Sequence, residues 1–295
     1  MIIEPSSLII KYQLYDTNRL FLRKFSPMRN LFFLFSFLGI ISCSSNNVSE
    51  DNSLKKYFDD ENVIGCFGLY DNGQGHITVY NLKRYRDSSY TPASTFKIVN
   101  SLIGLQTGKI TDENMVIRWD GVKRWNPDWN KDLTMTEAFK VSAVNYYQEV
   151  ARRIGSDTMK KWIDSLGYGN KNINGPVDSF WLNNHLKITP DEELGLMKRL
   201  YFNQLPFYDR TQEIVRKVML REDNANFKLS YKTGWGNKEN GNEIGWVVGW
   251  IEENKHPYFF VLNIESTDKK VDMINVRLKI LKGILTQLGF FQGKK

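Results

Sequence analysis

Segments typical of β-strands lie near both ends of this chain, and segments typical of helices lie between them. Residues 63–70 and 76–82 are apolar runs separated by an Asp-Asn-Gly turn, a pattern that predicts a hairpin. Three later segments are rich in aromatic and β-branched side chains and are joined by short polar turns. These later strands are predicted at residues 227–233, 244–252 and 258–265. We therefore expect a mixed α/β (α+β) fold, in which an antiparallel sheet of N- and C-terminal strands holds an inserted helical region.

The middle of the chain predicts helices. Pro92 precedes the first of them, as is typical of a helix start. The last one, at the C-terminal end, has the apolar spacing of an amphipathic helix. The predicted helices are residues 94–105, 134–139, 145–154, 157–166, 190–202, 211–220 and 273–288. The chain has 295 residues and shows no repeat or long linker in its later part, so we expect one folded domain over residues 55–295.

The charged and metal-binding residue types exclude several classes of function. The formal net charge is +7, but Lys and Arg are scattered without a long basic run, so we expect no nucleic-acid partner. A mild positive balance suits a small anionic substrate equally well. The two cysteines cannot form a disulfide scaffold, and the three histidines lack the spacing of a zinc site. We therefore expect no bound metal.

Residues 1–42 have the features of an upstream extension and an export signal. Met28-Arg29-Asn30 is followed by an apolar run at 31–41 that is too short to span a bilayer. The residues before Met28 look like an extension, so the true start is either Met1 or Met28.

The export signal ends in Ile40-Ile41-Ser42-Cys43, which resembles the lipoprotein box of bacteria. The resemblance implies cleavage before Cys43 and a lipid on its sulfur. The protein would then be exported and held at the periplasmic side of the cell envelope by a lipid anchor alone. Residues 43–54 are polar and would form a flexible tether. The alternative is a plain secretory signal in which the cysteine is incidental.

The segment Pro92-Ala93-Ser94-Thr95-Phe96-Lys97 carries the strongest chemical signal. Ser94 and Lys97 are three residues apart, so a helix places them on one face. A serine hydroxyl is a weak nucleophile and needs an adjacent base, which a neutral lysine or a derivative of it can supply. A helix N-terminus also offers N–H groups to a developing oxyanion. Taken alone, the spacing is also that of a solvated surface pair.

Two later motifs make the pattern specific. Ser142-Ala143-Val144 is predicted at a helix junction, and Lys232-Thr233-Gly234 is predicted at the end of a strand. This order of Ser-x-x-Lys, Ser-x-x and Lys-Thr-Gly is that of the penicillin-recognising serine enzymes. The strand can bind the substrate backbone, and its Lys232 and Thr233 can hold a β-lactam carboxylate. Gly234 would allow the ligand a close approach.

The whole set of motifs resembles the class D β-lactamases, also called oxacillinases. The resemblance runs from about residue 63 to residue 289 and implies a β-lactamase/transpeptidase-like fold. The activity that it implies is hydrolysis of β-lactam antibiotics, which gives resistance to them. The shared motifs are Pro92-Ala93-Ser94-Thr95-Phe96-Lys97, Ser142-Ala143-Val144, Tyr168-Gly169-Asn170, Phe180-Trp181-Leu182, Lys232-Thr233-Gly234-Trp235 and Gly245-Trp246-Val247-Val248-Gly249-Trp250.

The neighbours of Lys97 support class D in particular. Class A enzymes carry Asn where this chain has Val144, and Phe96 and Trp181 add further apolar surface. Desolvation lowers the pKa of a lysine and favours the neutral amine, which can add CO2. In class D the matching lysine is carbamylated, and the resemblance implies that the Lys97 carbamate is the general base for acylation and deacylation. It also implies that Trp181 hydrogen-bonds the carbamate, and that no other cofactor is bound.

The resemblance also assigns the remaining roles. Ser94 would be the nucleophile, and Ser142 would relay a proton toward the leaving nitrogen. The backbone N–H groups of Ser94 and Trp235 would form the oxyanion hole. Arg277, placed by its spacing, would pair with the substrate carboxylate.

Other conspicuous residues are expected to be structural. Tyr168-Gly169-Asn170 is interpreted as a structural turn, Trp246 and Trp250 as packing residues on one strand face, and Cys66 as a buried thiol. Two alternative functions share these motifs. One is a β-lactam-sensing receptor domain, and the other is a penicillin-binding protein; both acylate without turnover.

The lipoprotein interpretation is tested by replacing the cysteine of the box. Cys43→Ala removes the sulfur to which the lipid would attach, so we expect the protein to leave the membrane fraction of expressing cells. Fractionation and mass spectrometry of the mature N-terminus measure this. An unlipidated parent protein that is recovered soluble from the periplasm would refute the interpretation.

Overall fold

The computed structural model describes residues 47–295. The predicted upstream extension, the signal peptide and Cys43 lie outside the described residues. Within 47–295, no helix is both long and apolar enough to cross a membrane.

A seven-stranded sheet, in the order β1-β3-β2-β9-β8-β7-β6, is the framework of this part of the chain. Its neighbouring strands are antiparallel, except that β1 and β3 run parallel. A short hairpin of β4 and β5 lies apart from it. The strands are β1 Val48–Glu50, β2 Ile64–Asp71, β3 His76–Tyr80, β4 Val116–Ile117, β5 Leu133–Thr134, β6 Leu220–Asp223, β7 Lys228–Asn237, β8 Glu243–Glu253 and β9 His256–Ser266.

Helices cover both faces of the sheet. Alternate residues of β8 point to opposite faces, so Val248 packs in the core under the inserted helices and Val247 packs in a second core under α1 and α9. Because both faces are covered, the central strands are apolar along nearly their whole length. The α-helices of residues 47–295 are α1 Lys55–Asp59, α2 Leu82–Asp87, α3 Lys97–Gln106, α4 Met135–Lys140, α5 Val144–Ile154, α6 Ser156–Leu166, α7 Pro190–Tyr201, α8 Asp209–Met219 and α9 Met273–Gln287.

The predicted architecture is confirmed: N- and C-terminal strands share one sheet, and the helices from α3 to α8 are inserted between them. Several bounds differ from the prediction. The second strand of the first hairpin ends at Tyr80, because Asn81 caps α2 by accepting a hydrogen bond from the Arg84 N–H. The strand predicted to end at Thr233 continues to Asn237, because β8 pairs with it along its full length.

The residues predicted as the end of a tether belong to the folded domain. Val48–Glu50 pair with β3, and Asn52–Leu54 form a 3₁₀ turn capped by Asp51. Leu54 is fully buried in the second core. The tether prediction for residues 43–54 is therefore wrong for its last residues, since one apolar side chain and one edge pairing draw a polar segment into the sheet.

This correction gives a stability prediction. Leu54→Ala should lower the free energy of unfolding by about 2–5 kcal/mol, the usual cost of emptying a buried leucine site. The exposed neighbour provides the control, and Asn52→Ala should be close to neutral. Urea denaturation measures both. Equal stabilities for the two variants would show that residues 52–54 do not pack on the domain.

Candidate active site

One cleft gathers most of the residues singled out from the sequence. Its volume is about 270 Å³, and Ser94, Ser142, Val144, Thr233 and Arg277 all line it. Ser94 comes from the 3₁₀ turn Ala93–Phe96 that leads into α3, and Ser142 comes from the junction of α4 and α5. A larger cleft of about 390 Å³ on the helical side is lined by charged groups such as Arg153 and Glu149, which pair with each other. The candidate nucleophile lies in the smaller cleft.

Ser94 and Lys97 are in direct contact. The Lys97 Nζ lies 2.6 Å from the Ser94 Oγ, which confirms that the two side chains meet. Lys97 is fully buried, and no acid within residues 47–295 forms an ion pair with it. Burial lowers the pKa of Lys97 to about 7. A large fraction of the amine is therefore neutral at physiological pH and can accept a proton from the serine.

The surroundings of Lys97 are aromatic. Phe96 stacks on Trp181 with ring centroids 5.3 Å apart, and the Tyr147 ring lies 5.7 Å from the Lys97 Nζ. Val144 lines the cleft that contains Ser94. The indole Nε1 of Trp181 is buried and finds no hydrogen-bond acceptor anywhere in the described chain. A buried N–H donor without an acceptor is unfavourable, so this atom is poised for an acceptor that the side chains do not provide.

The turn that carries Ser94 has an unfavourable backbone conformation. Ala93 has a φ of +49°, in the left-handed region that side chains with a Cβ rarely adopt. Such a residue persists only where its surroundings hold it. The Ala93 N–H donates to the Trp181 carbonyl at 3.1 Å, and the Thr91 hydroxyl donates to the same oxygen at 2.8 Å. Trp181 thus fixes the nucleophile turn through its main chain.

Lys232 contacts Ser142 and not the open cleft. Its Nζ lies 3.0 Å from the Ser142 Oγ, and the side chain is fully buried. Burial first, and then the nearby cations Lys97, Arg221 and Arg277, hold the pKa of Lys232 well below its ordinary value. The sequence interpretation placed Lys232 on a substrate carboxylate. The pleat of β7 turns Thr233 and Trp235 toward the cleft and Lys232 toward the interior beside Ser142, and the contact of Lys232 with a substrate carboxylate stays a prediction.

Gly234 has a packing role that the sequence did not indicate. A Cβ at this position would lie 3.0 Å from the Pro92 carbonyl oxygen and 3.1 Å from the Trp246 Cβ. The glycine therefore lets β7 approach the strained turn, whereas the sequence interpretation was close approach of a ligand.

Arg277 reaches the cleft from α9, as its spacing predicted. Its Nη1 donates to the Gly234 carbonyl, while its Nε is buried and without an acceptor among the described residues. Burial lowers the pKa of Arg277 to about 10, so the guanidinium remains charged at neutral pH. A cation with an unused donor at the floor of a cleft suits an anionic group.

The apolar wall of the cleft was not predicted. Trp125 lies 5.2 Å from Trp129 and 6.2 Å from Trp235, measured between ring centroids, and 69% of Trp125 is exposed. Leu182 and Ile274 line the same cleft. Residues 118–132 contain no α-helix or β-strand, so no periodicity in the sequence placed Trp125 and Trp129 at the site.

Several residues were predicted to be structural, and the structure agrees. Trp246 and Trp250 are buried packing residues. Cys66 is buried, and desolvation raises the pKa of its thiol to about 12. Gly169 lies in a turn with a φ of +50°, where a Cβ would collide with the Lys187 carbonyl.

The chain was compared with protein-family models and with known proteins. Residues 46–286 match the family model described as penicillin binding protein transpeptidase domain. The β-lactamase OXA-48 of Klebsiella pneumoniae is 37% identical over 238 residues, which cover 81% of this chain and 88% of that protein.

Two solved structures are also similar to this chain. The class D β-lactamase YbXI from Nostoc is 37% identical, with a TM-score of 0.77 over 82% of this chain and 100% of that one. The C-terminal domain of the BlaR penicillin-receptor of Bacillus licheniformis is 28% identical, with a TM-score of 0.77 over 83% of this chain and 97% of that one.

Proposed function

Since this chain belongs to the class D β-lactamases, we propose that it hydrolyses the β-lactam amide bond of penicillin-type antibiotics through an acyl-enzyme on Ser94. The observation that carries the proposal is the 2.6 Å contact between the Ser94 Oγ and the Nζ of the buried Lys97. A nucleophile needs a base at this distance to lose its proton as it attacks. Hydrolysis of these drugs gives resistance to them.

The buried setting of Lys97 supports carbamylation. A neutral amine is required for CO2 to add, and burial lowers the pKa of Lys97 to about 7. The unpartnered Trp181 Nε1 provides a donor for an added oxygen. A carbamate at this position supplies a carboxylate-like general base. In this proposal the apolar Phe96 and Val144 exclude water from it and keep the amine from being protonated.

Ser142 and Lys232 are proposed to deliver the proton to the leaving nitrogen. The lowered pKa of Lys232 makes proton exchange across the 3.0 Å contact with the Ser142 Oγ favourable. Ser142 lines the cleft and Lys232 does not, so the serine hydroxyl is the group that meets the substrate. Its φ of +57° is an unfavourable backbone conformation at the junction between α4 and α5, which supports a functional role for Ser142.

The substrate is proposed to bind in the same cleft, through one pair of residues for its carboxylate and another for its carbonyl oxygen. Thr233 and Arg277 would hold the substrate carboxylate, and the backbone N–H groups of Ser94 and Trp235 would hold the developing oxyanion. Both Ser94 and Trp235 line the same cleft, which supports this pairing.

A receptor that acylates without turnover is the alternative function. The receptor domain BlaR shares the fold at 28% identity, whereas the β-lactamase OXA-48 is 37% identical, so the receptor is not favoured. We also propose that the mature protein is exported and anchored by a lipid on Cys43; the Ile-Ile-Ser-Cys box supports this proposal.

The first prediction of this function concerns the covalent adduct. Ser94→Ala should abolish hydrolysis and still fold, with a modest change in melting temperature, because the buried Lys97 Nζ loses its hydrogen-bond partner. Mass spectrometry of the parent protein with a slow β-lactam should show the adduct on Ser94. An adduct on another residue contradicts the assignment, and an adduct that never turns over identifies a receptor.

The second prediction concerns CO2. Below a pH of about 7 the Lys97 amine becomes protonated, so activity should fall in acid and recover with added bicarbonate. Trp181→Ala removes the unpartnered donor, and Val144→Asn places a polar group in the cleft; both variants should need more bicarbonate than the parent, with deacylation most affected.

Kinetics with and without bicarbonate near pH 6, together with NMR of ¹³C-labelled CO2 on the lysine, provide the measurement. Val141→Ala shortens a different side chain of the cleft and is the control, which should need no more bicarbonate than the parent. Activity that ignores bicarbonate, with no carbamate signal, means that Lys97 works as a plain amine.

A further inference from the structure

A buried carboxyl group that the proposed reaction does not use lies beside the nucleophile turn. Glu193 is in the first turn of α7, and its side chain is fully buried. Its Oε1 lies 2.6 Å from the Thr95 Oγ1 and 3.0 Å from the hydroxyl of Tyr168. Because Thr95 follows Ser94 directly, Glu193 contacts the nucleophile turn from outside the cleft.

The surroundings of Glu193 disfavour a negative charge. Its Oε2 is buried and has no hydrogen-bond partner within residues 47–295, and its side-chain partners in that range are two hydroxyl groups and no cation. The charged groups nearest to it along α7 are acids. Glu192 caps the helix through Thr189, and Asp191 accepts a hydrogen bond from the Tyr85 hydroxyl of α2. A buried carboxylate without a cation is costly.

The titration of the group agrees with its geometry. Burial raises the pKa of Glu193 to about 7, with a smaller contribution from the charge of Glu192. Burial also holds the pKa of Tyr168 well above its ordinary value, so the Tyr168 hydroxyl remains a donor across the working pH range.

Counting protons in the cluster favours the neutral acid. The Thr95 Oγ1 lies 2.9 Å from the Pro92 carbonyl oxygen as well as 2.6 Å from the Glu193 Oε1, and it has one proton to donate. If Glu193 is ionised, the Pro92 carbonyl oxygen and the Glu193 Oε1 can both only accept, so the single Thr95 proton serves one of these two contacts and the other has none. If the Oε1 carries a proton, it donates to Thr95 and Thr95 donates to Pro92. Every contact then has its own proton, and the unpartnered Oε2 is an uncharged carbonyl oxygen.

We propose that Glu193 is a neutral carboxylic acid in the active protein and that it positions Ser94 through Thr95. The proposal rests on the role of Ser94 as nucleophile. The turn contains the left-handed Ala93, so it needs contacts on every side to hold it. Trp181 holds one side of the turn, and the chain Tyr168–Glu193–Thr95–Pro92 holds the other.

Ionisation of Glu193 has two consequences. The Thr95 hydroxyl then donates its hydrogen bond to the carboxylate, so the Pro92 carbonyl loses the hydrogen bond from that hydroxyl and the turn is held less tightly. The folded protein is also destabilised. The pKa of Glu193 is about 7 in the folded protein, against 4.5 for an unburied glutamic acid, so its contribution makes stability fall as the pH rises from about 4.5 to about 7 and is constant above that.

The first experiment uses Glu193→Gln, a neutral side chain of the same shape whose two amide N–H groups can donate to the hydroxyl oxygens of Thr95 and Tyr168. This variant should melt at the same temperature as the parent near pH 4.5 and several degrees higher at pH 8. Glu213→Gln, which replaces an exposed glutamate of α8, is the matched control and should show no such trend. The infrared difference spectrum of parent minus Glu193→Gln at pH 5.5 should contain a protonated-carboxyl band.

The second experiment tests positioning. Glu193→Leu keeps the volume but loses both hydrogen bonds, so acylation of Ser94 should slow by about 10- to 100-fold with little change in KM. Glu193→Gln should stay within about two-fold of the parent at pH 6 and should lose part of the parent's decline on the alkaline side.

The outcomes distinguish three claims: that Glu193 is a neutral acid, that it positions Ser94, and that Ser94 is the nucleophile. A carboxylate band at pH 5.5, or melting curves of parent and Glu193→Gln that keep the same separation from pH 4.5 to pH 8, overturns the neutral acid. Wild-type acylation in Glu193→Leu overturns positioning. If the parent forms no adduct on Ser94, the proposed function fails, whereas the infrared and melting results still decide the state of Glu193.

Discussion

The amine of Lys97 is buried, no acid within residues 47–295 balances it, and the rest of the site depends on this. An ammonium in that position would need a counter-ion, and the chain supplies aromatic and aliphatic groups instead. The pKa of Lys97 therefore falls to about 7, and a lysine that is ordinarily a cation becomes a base. The indole N–H of Trp181 is also buried and has no acceptor among the residues that the structure describes. Burial thus lowers the pKa of the amine and leaves an indole donor unused.

A base of this kind is useful only if the serine stays beside it. The nucleophile turn begins with an alanine in the left-handed region, so the local sequence alone does not favour its shape. The turn is held from outside by main-chain bonds to the segment around Trp181, by the Thr95 contacts and by the close approach of β7 at Gly234. The sheet and the inserted helices are needed together, because each supplies one of these supports.

The order of the motifs was sufficient to predict the fold and the contact between Ser94 and Lys97. The contact of Ser94 with Lys97 follows from helical spacing, and Arg277 was placed correctly by its distance along the chain. The sequence placed Lys232 in a strand but could not show which face of that strand meets the cleft, and the pleat decides which side chains face it. Leu54 was missed because one buried leucine in a polar segment gives no periodicity. Glu193 was missed for a related reason: its partners come from segments about 25 and 98 residues away.

The charges around the cleft complete the argument about what it binds. Lys232, Arg221 and Arg277 are all buried or nearly so, and desolvation lowers the pKa of each. In the part of the chain that the structure describes, none of them forms an ion pair with a carboxylate. Such a group of cations is destabilising until an anion joins it. A substrate that carries one carboxylate beside an acylating carbonyl would supply the missing charge at Arg277 while its carbonyl meets Ser94. Binding of such a carboxylate would offset part of the cost of burying Arg277 in the free protein, and the apolar walls of the cleft would strengthen that attraction by excluding water.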